Sequence, residues 1–243
     1  MIKFFRKIRQ KLLSENKFSK YLIYAIGEIF LVVIGILIAL QINNHNEARK
    51  LKQKEIILLS EMKSNLQADL LDLNYNIDNN KTRLESNVAV RSTIENNTLF
   101  SDSLRFHFGN VMGNFQLTEN TSAWENLKSI GLDLISDDSL RNSLSNLYST
   151  KYKYLENLES GADDTFQWDH LYPQVLKHIT IDELWVSGEP RNYEEMLEDS
   201  SFLEVIKMNI TFRKMMQGQY ERVLEAVTSV LEQIDKHLNY LSN

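Results

Sequence analysis

Histidine is the first residue type to consider, because its imidazole can ligate a metal ion or act as a general base near neutral pH. The five histidines are His45, His107, His170, His178 and His237. No two of them stand three or four residues apart, so no helix face presents a pair. The densest group of potential ligands is Asp169, His170, His178, Asp182 and Glu183, and nothing in its spacing fixes a coordination geometry. We therefore expect the histidines to be hydrogen-bonded or exposed, and we predict no metal site.

Motifs for catalysis or cofactor binding lead to a similar expectation. The chain has no glycine-rich phosphate loop, no G-x-S-x-G and no H-E-x-x-H. Acid pairs stand at expected helix starts or turns, where the helix dipole accounts for them: Asp137-Asp138, Asp163-Asp164 and Glu194-Glu195. Sulfur-containing and aromatic residues are assigned to the core, namely Met208, Met215, Met216, Phe166, Trp168 and Tyr172. The sequence thus predicts no catalytic residue, no cofactor and no enzyme.

Glu28 is the acid that needs an explanation, because it lies inside the apolar run 21–42. As a helix rising about 1.5 Å per residue, this run is roughly 33 Å long and can cross a hydrocarbon core of about 30 Å. It predicts a single membrane-spanning helix. A charged acid there costs at least about 2.5 kcal/mol, so one interpretation is that Glu28 is protonated, paired or facing a polar site. The alternative is that it snorkels to the cytoplasmic edge, or stays protonated, without a function.

One side of the predicted span differs from the others. It holds four residues that fall within about 20° of Glu28 on a helical projection: Tyr21, Glu28, Gly35 and Ala39. Small residues four positions apart let a second helix approach closely, whereas bulky residues lie off this side, at Leu22, Ile29, Val33 and Leu40. We call the four residues the partner-facing stripe. We expect it to contact a second copy of the chain or another membrane protein.

The first 20 residues carry a net charge of +6, which leaves −12 on the rest of the chain. This acidic body argues against nucleic acid as a partner, because phosphate binding needs a basic face on the folded part. A basic tail before a span instead suits anionic lipid headgroups. Apolar residues at helical spacing predict a surface-bound amphipathic segment over 1–17, and a disordered basic tail is the alternative. The predicted membrane-surface cations are Lys3, Arg6, Lys7, Arg9 and Lys11.

The Lys and Arg residues near the two ends of the span predict its orientation. Seven of them precede the span and four follow it, within 49–54. This bias places the N terminus in the cytoplasm and the soluble domain outside the inner membrane, in the periplasm of a Gram-negative cell. The lack of cysteine fits an oxidising compartment without requiring one. A cleaved signal peptide is the alternative, but residues 41–44, Gln-Ile-Asn-Asn, offer no small-residue cleavage site, so we predict a retained anchor.

Two stretches resemble an uncharacterised protein family. The first is Tyr-Ala-Ile-Gly-Glu-Ile at 24–29, with Gly-Ile-Leu-Ile-Ala-Leu-Gln-Ile-Asn-Asn at 35–44 and Asn46-Glu47 after it. The second, weaker patch is Leu-Lys-Ser-Ile-Gly-Leu-Asp-Leu-Ile at 127–135. They look like the hallmarks of single-span inner-membrane proteins of unknown function from certain Gram-negative bacteria. His45 stands where the family pattern has tryptophan. The resemblance implies a location and an architecture, but no catalytic residue.

The chain continues with a helical pattern after the span. From residue 46 to about residue 97 it has no Pro or Gly, and its apolar residues recur in steps of three and four, as in a coiled coil or a bundle helix. The Asn-rich stretch 74–81 could fray or bend this helix, which is expected to stop at Asn96-Asn97. The expected seam is Leu59, Met62, Leu66, Leu70, Leu73, Ile77, Leu84, Val88 and Ile94.

Shorter elements are expected between this helix and the next long one. The pattern predicts helices over 102–112 and 121–130, the second ending at Gly131 in a left-handed cap. Ser136 is then expected to cap a long helix through about residue 179. Pro173 should kink or restart that helix, because proline lacks a backbone donor and clashes with the preceding turn.

The last third of the chain predicts one more long helix. Residues 181–192, which contain Gly188 and Pro190, are expected to form a loop, followed by a short helix over 193–198. Residues 202–241 have the most regular apolar stripe in the sequence and predict a helix of about ten turns.

These elements predict an all-α protein without a sheet. The expected organisation is a basic amphipathic segment over 1–17, a transmembrane helix over 18–44 and an elongated antiparallel helical bundle over 45–243.

Three functions fit these predictions. The leading hypothesis is a single-pass, membrane-anchored helical interaction or scaffold module with its soluble domain outside the inner membrane. The second is a periplasmic ligand sensor that signals through a partner, because about 20 cytoplasmic residues are too few for an output domain. The third is an ion-coupled subunit in which Glu28 is the coupling carboxylate. The expected partners are membrane lipids and either a second copy or another membrane protein, with no nucleic acid.

Overall fold

The computed structural model of the protein describes residues 18–242, apart from the side chains of Phe18, Lys20 and Tyr21. The chain divides into two compact units, the first ending at Lys54 and the second beginning at Glu55. Within the described range the secondary structure is helical except for one short β-hairpin. The predicted all-α class is therefore confirmed.

Helix α1 spans Phe18–Glu95 without a break. The Asn-rich stretch does not end it, and the side-chain amides of Asn74 and Asn79 donate to carbonyls one turn earlier in the helix. The helix stops where the sequence predicts. Asn97 takes a left-handed φ of 48°, and the Thr98 N–H bonds back to the Thr93 carbonyl at 3.1 Å.

The buried side of α1 in the second unit follows steps of four and three without interruption. Its members are Glu55, Leu59, Met62, Leu66, Asp69, Leu73, Asn76, Asn80, Arg83, Asn87, Val90 and Ile94. A repeat averaging 3.5 residues is the seam of a bundle helix. The predicted seam is right for most positions through Leu73 and again at Ile94. It is wrong in between, since Ile77 and Leu84 are only half-buried and Val88 is exposed. Polar residues occupy the seam there instead.

Short elements follow α1. A 3-10 turn, Asp102–Leu104, leads into α2, Arg105–Gly109, so the first short helix ends earlier than predicted. Gly113 lies in the extended segment that follows, with a φ of 99°. Helix α3, Ser122–Ile130, matches its prediction, and Gly131 caps it with a φ of 119°.

Residues 138–178 form one helical arm in which α and π turns alternate. Its α-helical parts are α4 (Asp138–Asn146), α5 (Lys153–Asn157), α6 (Asp164–Phe166) and α7 (Tyr172–His178), and its π turns are Leu147–Tyr152, Leu158–Asp163 and Gln167–Leu171. Pro173 stands in the first turn of α7, so it restarts the helix as expected. The predicted cap Ser136 is wrong. Asp137 is the cap, and its carboxylate accepts the Leu140 N–H at 2.9 Å.

The spacing of buried residues explains the π turns. From residue 155 to 175 every fourth side chain is buried: Leu155, Glu159, Asp163, Gln167, Leu171 and Val175. An α-helix turns about 100° per residue, so steps of four drift by about 40° each and would carry the stripe off the core. A π turn closes its hydrogen bond over one more residue and removes this drift. The sequence-based prediction of one long helix did not include this feature.

A hairpin replaces the loop predicted over 181–192, which is a correction. Strand β1, Ile179–Glu183, pairs antiparallel with β2, Ser187–Pro190. The hairpin lies backbone to backbone on α2, where a Cβ on Gly109 would come within 2.6 Å of the β2 backbone. A Cβ on Gly188 would likewise lie 3.2 Å from a backbone nitrogen of α2. Two glycines and β-branched residues in β1 therefore permit this short sheet.

Helices α8, Tyr193–Glu198, and α9, Ser200–Ser242, complete the second unit close to the predicted bounds. Together with α1 and the arm, α9 encloses two apolar clusters. The first contains Leu59, Leu144 and Val227, and the second contains Phe108, Leu171 and Phe202. On each of the three long elements, buried polar residues separate the two clusters.

Candidate functional site

The apolar part of α1 carries the predicted partner-facing stripe. Its most apolar 18 residues have a mean hydropathy of 2.6 and none is buried, so by length and composition this helix can cross a membrane. The continuous helix keeps Glu28, Gly35 and Ala39 at the spacing of one face. A Cβ on Gly35 would meet nothing within 4 Å. What faces the stripe stays a prediction. Outside the described residues lie the Tyr21 side chain and the basic residues Lys3, Arg6, Lys7, Arg9 and Lys11.

A layer of buried polar side chains lies between the two apolar clusters of the second unit. Asn209 of α9 donates from Nδ2 to Asn87 Oδ1 at 3.0 Å and to the Val111 carbonyl at 2.9 Å. Gln167 of the arm donates to Asn209 Oδ1 at 3.0 Å and accepts the Gly113 N–H at 3.1 Å. These bonds join α1, the segment around residue 112, the arm and α9. Because buried amides must keep their partners, the layer fixes one alignment of the three long elements.

An ion pair and an acid complete this layer. Arg213 of α9 donates to Asp163 of the arm, and both side chains are at most 2% exposed. One turn earlier on the arm, burial raises the pKa of Glu159 to about 7. The Leu117 N–H, which donates to Glu159 Oε1 at 3.0 Å, opposes that shift without cancelling it. The layer therefore contains one paired carboxylate and one that titrates near neutral pH.

Arg83 differs from Arg213 in having no ion-pair partner among the described residues. It is 2% exposed, and its Nη1 donates to Asn110 Oδ1 at 2.9 Å. Its Nε is buried without a hydrogen-bond partner, and it forms no ion pair with an acid among residues 18–242. Burial, and then the charge of Arg213, lower the pKa of Arg83 to about 10. The guanidinium therefore remains charged at neutral pH while no described carboxylate neutralises it.

Aromatic rings surround this cation. The Arg83 Cζ lies 5.2 Å from the ring centre of Phe115 and 5.3 Å from that of Trp185. Phe115 contacts Trp185 at 5.4 Å between ring centres and meets Tyr75 edge-on at 5.5 Å. Trp185 is 41% and Tyr75 56% exposed, so this aromatic wall reaches the surface. Ring faces attract a guanidinium, but they do not replace a counter-ion.

Trp185 stands at the tip of the β-hairpin with a φ of 64°, a conformation that is rare for a residue other than glycine. Asn110 holds it there by donating from Nδ2 to the Trp185 carbonyl at 2.8 Å. A Cβ on Gly113 would lie 2.8 Å from the indole Nε1 and 3.7 Å from Arg83 Nε. The indole ring therefore packs directly against Gly113 and leaves no room for a side chain there.

A second polar cluster joins α1, the start of α4 and the end of α9. Glu55 Oε1 accepts the Ser136 N–H at 2.7 Å and the Ser136 hydroxyl at 2.9 Å, and it lies 2.8 Å from His237 Nε2. His237 Nε2 also lies 3.2 Å from the Ser136 hydroxyl oxygen. An open cleft of about 530 Å³ adjoins the cluster, with Lys236 and Tyr240 in its lining. The cluster is a hydrogen-bonded joint between these three elements.

His178 belongs to the group of potential metal ligands considered in the sequence, and in the structure it contacts an acid outside that group. Its Nε2 lies 2.8 Å from Asp199 Oδ2, and Lys177 Nζ lies 2.6 Å from the same oxygen. These two hydrogen bonds, that of Lys177 first, hold the pKa of Asp199 well below its usual range. The other Asp199 oxygen accepts the Phe202 N–H at the start of α9. For the part of the chain that is described, no three His, Asp or Glu side chains are grouped to hold a metal ion.

Comparison with known protein families gives a match. Residues 28–213 match DUF6090, a family of unknown function. The chain belongs to this family. No curated protein and no solved structure matches it. The resemblance to an uncharacterised family is thus confirmed, while single-span topology, the inner membrane and a Gram-negative source stay predictions for this DUF6090 chain.

Neither Arg83 nor Trp185 is among the residues that the sequence pattern predicts to be functional. A signal existed for Arg83, because it falls on the seam three residues after Asn80 and four before Asn87. A cation at a seam position is unusual enough to suggest a specific role. No comparable signal exists for Trp185, whose contacts with Phe115 and Arg83 join distant parts of the chain.

Proposed function

We propose that this DUF6090 chain is a single-pass inner-membrane protein that presents a helical interaction module outside the membrane. One observation carries the proposal. The apolar part of α1 has no buried residue in its most apolar stretch, whereas the second unit has its own apolar clusters. Side chains such as Ile23 and Phe30, 70% and 65% exposed, favour lipid or protein over water. The helix is therefore assigned to the bilayer, and the second unit to recognition.

Charge supports the proposed orientation and partners. The first 20 residues carry +6, which favours a cytoplasmic N terminus beside anionic lipid. Residues from 55 onward carry −14, which disfavours nucleic acid as a partner of that unit. The stripe of Glu28, Gly35 and Ala39 offers a second membrane helix a close approach. The proposed activity is binding and scaffolding, without catalysis.

The absence of cysteine makes topology directly measurable, because one introduced thiol is unique. Full-length Ser14→Cys and Thr228→Cys variants are expressed in Gram-negative cells, and spheroplasts are treated with a membrane-impermeant maleimide. Thr228 is exposed on α9 and Ser14 precedes the span. We expect labelling of Thr228→Cys in intact spheroplasts and of Ser14→Cys only after lysis. We also expect both proteins to remain in membranes washed with alkaline carbonate.

Two results would overturn this proposal. Release of the full chain by alkaline carbonate would show that α1 does not anchor it in the bilayer. The reversed labelling pattern would place the second unit in the cytoplasm.

A second candidate function is ligand sensing by the second unit, and Arg83 favours it. A buried cation without a counter-ion, next to a partly exposed aromatic wall, is an arrangement suited to a charged small molecule. If the unit is a sensor, a bound ligand should change which membrane proteins crosslink to Gly35→Cys. Identical crosslinks with and without a ligand that binds would reject sensing while leaving the scaffold proposal intact.

A further inference from the structure

We propose that the exposed rings and aliphatic side chains around the hairpin tip form a docking surface for a basic segment of a different protein. The members of this aromatic surface are Tyr75 of α1, Phe115, Trp168 of the arm and residues 184–186 of the hairpin. The proposal rests on the interaction function proposed above, and it adds the surface and the chemistry of the partner. Docking does not require α1 to be in a bilayer, so anchoring and docking can fail separately.

Exposure is the first reason to assign binding to this surface. Trp168 is 63% and Trp185 is 41% exposed, whereas the third tryptophan of the chain, Trp124, is 5% exposed. Leu184 and Val186, on either side of Trp185, are each 49% exposed. Single exposed apolar residues are common on protein surfaces, but adjoining ones mark interaction sites. Trp and Tyr are also the residues on which binding energy concentrates in protein interfaces.

Contacts between rings join separate segments into one surface. Phe115 lies 5.4 Å from Trp185 and 5.5 Å from Tyr75, measured between ring centres. Tyr75 itself is 56% exposed, and Leu71, one turn earlier on the same side of α1, is 75% exposed. The surface therefore continues from the hairpin across Phe115 onto α1.

The arm contributes to the surface through its π turns. Asp164, Trp168 and Tyr172 follow one another in steps of four, which the π turns keep on one side of the arm. Trp168 stacks on Tyr172 with 4.6 Å between ring centres. Burial raises the pKa of Tyr172, and the positive charge of Arg83 opposes that rise. Tyr172 therefore lies beside the cation that the other rings cover.

Hydrogen bonds hold the surface in place before a partner binds. Asn110 donates to the Trp185 carbonyl at 2.8 Å and so fixes the hairpin tip. Asp164 accepts from Asn114 at 2.7 Å and from Gln116 at 2.8 Å, which fixes the segment between them. A surface that is ordered in advance loses little conformational entropy on binding.

Acids border the exposed rings. Residues 154–176 contain five acids and no Lys or Arg, and residues 179–190 contain three acids and no Lys or Arg. On α1, the residues three positions before and after Tyr75 are Asp72 and Asp78, which share its side of the helix. The border of the aromatic surface is therefore negative on the hairpin, the arm and α1.

Arg105 of α2 neutralises only part of this border. Its guanidinium lies 3.2 Å from Asp182 and 2.5 Å from Glu189. Glu183, next to the exposed Leu184, is itself exposed, and no described residue pairs with it. Unpaired acids beside exposed rings favour a partner with Lys or Arg around an apolar group. Such cations can also stack on the ring faces.

The same charges disfavour two other occupants. In a two-fold symmetric dimer a surface meets its own copy, so two acidic borders would face each other. Like charges placed opposite one another oppose association. Anionic lipid headgroups would meet the same repulsion. The surface is therefore assigned to a different protein with a basic, partly apolar segment.

The test uses the full-length protein in an uncharged detergent and two short amphipathic helical peptides without aromatic residues. One peptide combines leucine with lysine, and the other has glutamate in place of every lysine. Because Trp168 and Trp185 are exposed, their fluorescence emission should shift to shorter wavelength when a peptide covers them. We expect saturable binding of the leucine–lysine peptide with a Kd on the order of 0.1 mM. The leucine–glutamate peptide should bind at least about ten-fold more weakly.

Matched charge reversals separate this surface from the overall negative charge of the protein. Glu183→Lys lies in the border, and Glu61→Lys lies at an exposed position about 21 Å before Tyr75 along α1. Both change the net charge equally. Glu183→Lys should weaken binding of the leucine–lysine peptide at least about five-fold, and Glu61→Lys less than about two-fold.

A matched pair of side-chain truncations tests the apolar contacts. Val186→Ser should weaken binding of the leucine–lysine peptide several-fold, because it removes an exposed apolar group from the hairpin tip. Tyr240→Ser, at a 74% exposed position near the end of α9, should bind that peptide like the wild type.

Any of three results contradicts the docking surface. They are equal binding of the two peptides, equal weakening by Glu183→Lys and Glu61→Lys, or no saturable change in tryptophan emission. Sedimentation of the wild type as a dimer and of Val186→Ser as a monomer would assign the surface to a second copy instead. A chain that alkaline carbonate releases but that still binds the leucine–lysine peptide would contradict only the proposed anchoring.

Discussion

Arg213 and Asp163 form an ion pair in which the two side chains are 2% and 1% exposed. Arg83 is equally buried, but no acid among residues 18–242 neutralises it. The charge of Arg213 also contributes to the lowered pKa of Arg83. One polar layer therefore contains a compensated and an uncompensated arginine. The two should respond in opposite ways when their charge is removed.

Arg213→Met should destabilise the protein by about 3 kcal/mol, because it leaves the Asp163 carboxylate buried without a counter-ion. The double variant Arg213→Met with Asp163→Leu should recover much of that loss, since it removes both charges. Denaturant unfolding of the full chain in detergent, followed by circular dichroism, measures both. If Arg213→Met were as stable as the wild type, Arg213 and Asp163 would not form a buried ion pair.

Arg83→Met should leave the free energy of unfolding within about 1 kcal/mol of the wild type, or raise it. The change removes one hydrogen bond to Asn110, which costs about 1 kcal/mol, and also removes an uncompensated buried charge, which offsets that cost. The same unfolding experiment compares it with Arg213→Met. A loss of about 3 kcal/mol or more would show that Arg83 is a structural residue with a partner in the fold.

Glu159 should make the protein less stable as pH rises. Burial raises its pKa from the ordinary 4.5 to about 7, so the folded protein holds a proton that the unfolded chain releases between those values. The contribution of Glu159 to the free energy of unfolding is complete below pH 4.5, declines between pH 4.5 and 7, and is lost above about pH 7. The total loss is roughly 3 kcal/mol. Unfolding free energies measured from pH 4.5 to 8 test this.

Glu159→Gln is the matched variant, because its amide oxygen still accepts the Leu117 N–H but does not titrate in this range. Between pH 4.5 and 7, the free energy of unfolding should therefore fall more steeply with pH in the wild type than in Glu159→Gln. Glu225→Gln, on an exposed position of α9, should keep the wild-type profile. Equal slopes for the wild type and Glu159→Gln would disprove the assignment.

Gly113→Ala and Gly218→Ala should change stability in opposite directions. Alanine at Gly113 must adopt a φ of 99° and place its Cβ 2.8 Å from Trp185 Nε1, so we expect a loss of about 2 kcal/mol and altered tryptophan fluorescence. Gly218 lies within α9 with nothing within 4 Å of an added Cβ, so alanine there should gain about 0.5–1 kcal/mol. Thermal unfolding of the two variants provides the comparison. A neutral Gly113→Ala would contradict the close approach of Trp185.

Local signals made the main helices predictable from sequence. The absence of Pro and Gly over 46–97 predicts the long helix α1, and the Asn pair at the end of that stretch predicts where the helix stops. Gly131 predicts the end of α3. The hairpin was not predictable in this way, because its support is the close approach of Gly109 and Gly188, far apart in the sequence. Hydrophobicity alone also misplaced the seam of α1, which passes through polar residues that find their partners on the arm and α9.

The π turns had a sequence signal that periodicity analysis can use. Buried positions at 155, 159, 163, 167, 171 and 175 keep a strict step of four, which a plain α-helix does not hold on one face. Two of those positions are acids and one is an amide, so the step is visible only if polar residues are counted as buried. The Arg83 site is harder to foresee, because three separate segments bring Phe115, Trp185 and the arginine together.

We propose above all that the apolar helix binds a partner through one side. Single-cysteine variants of the full chain at Gly35, Ala39, Val33 and Leu40, each carrying a photo-activated benzophenone maleimide, measure this in intact membranes. We expect Gly35→Cys and Ala39→Cys to yield a discrete adduct, with a second copy or another protein, at least about five-fold above the yield from Val33→Cys and Leu40→Cys. Equal yields at all four positions, or no adduct from Gly35→Cys and Ala39→Cys, would contradict it.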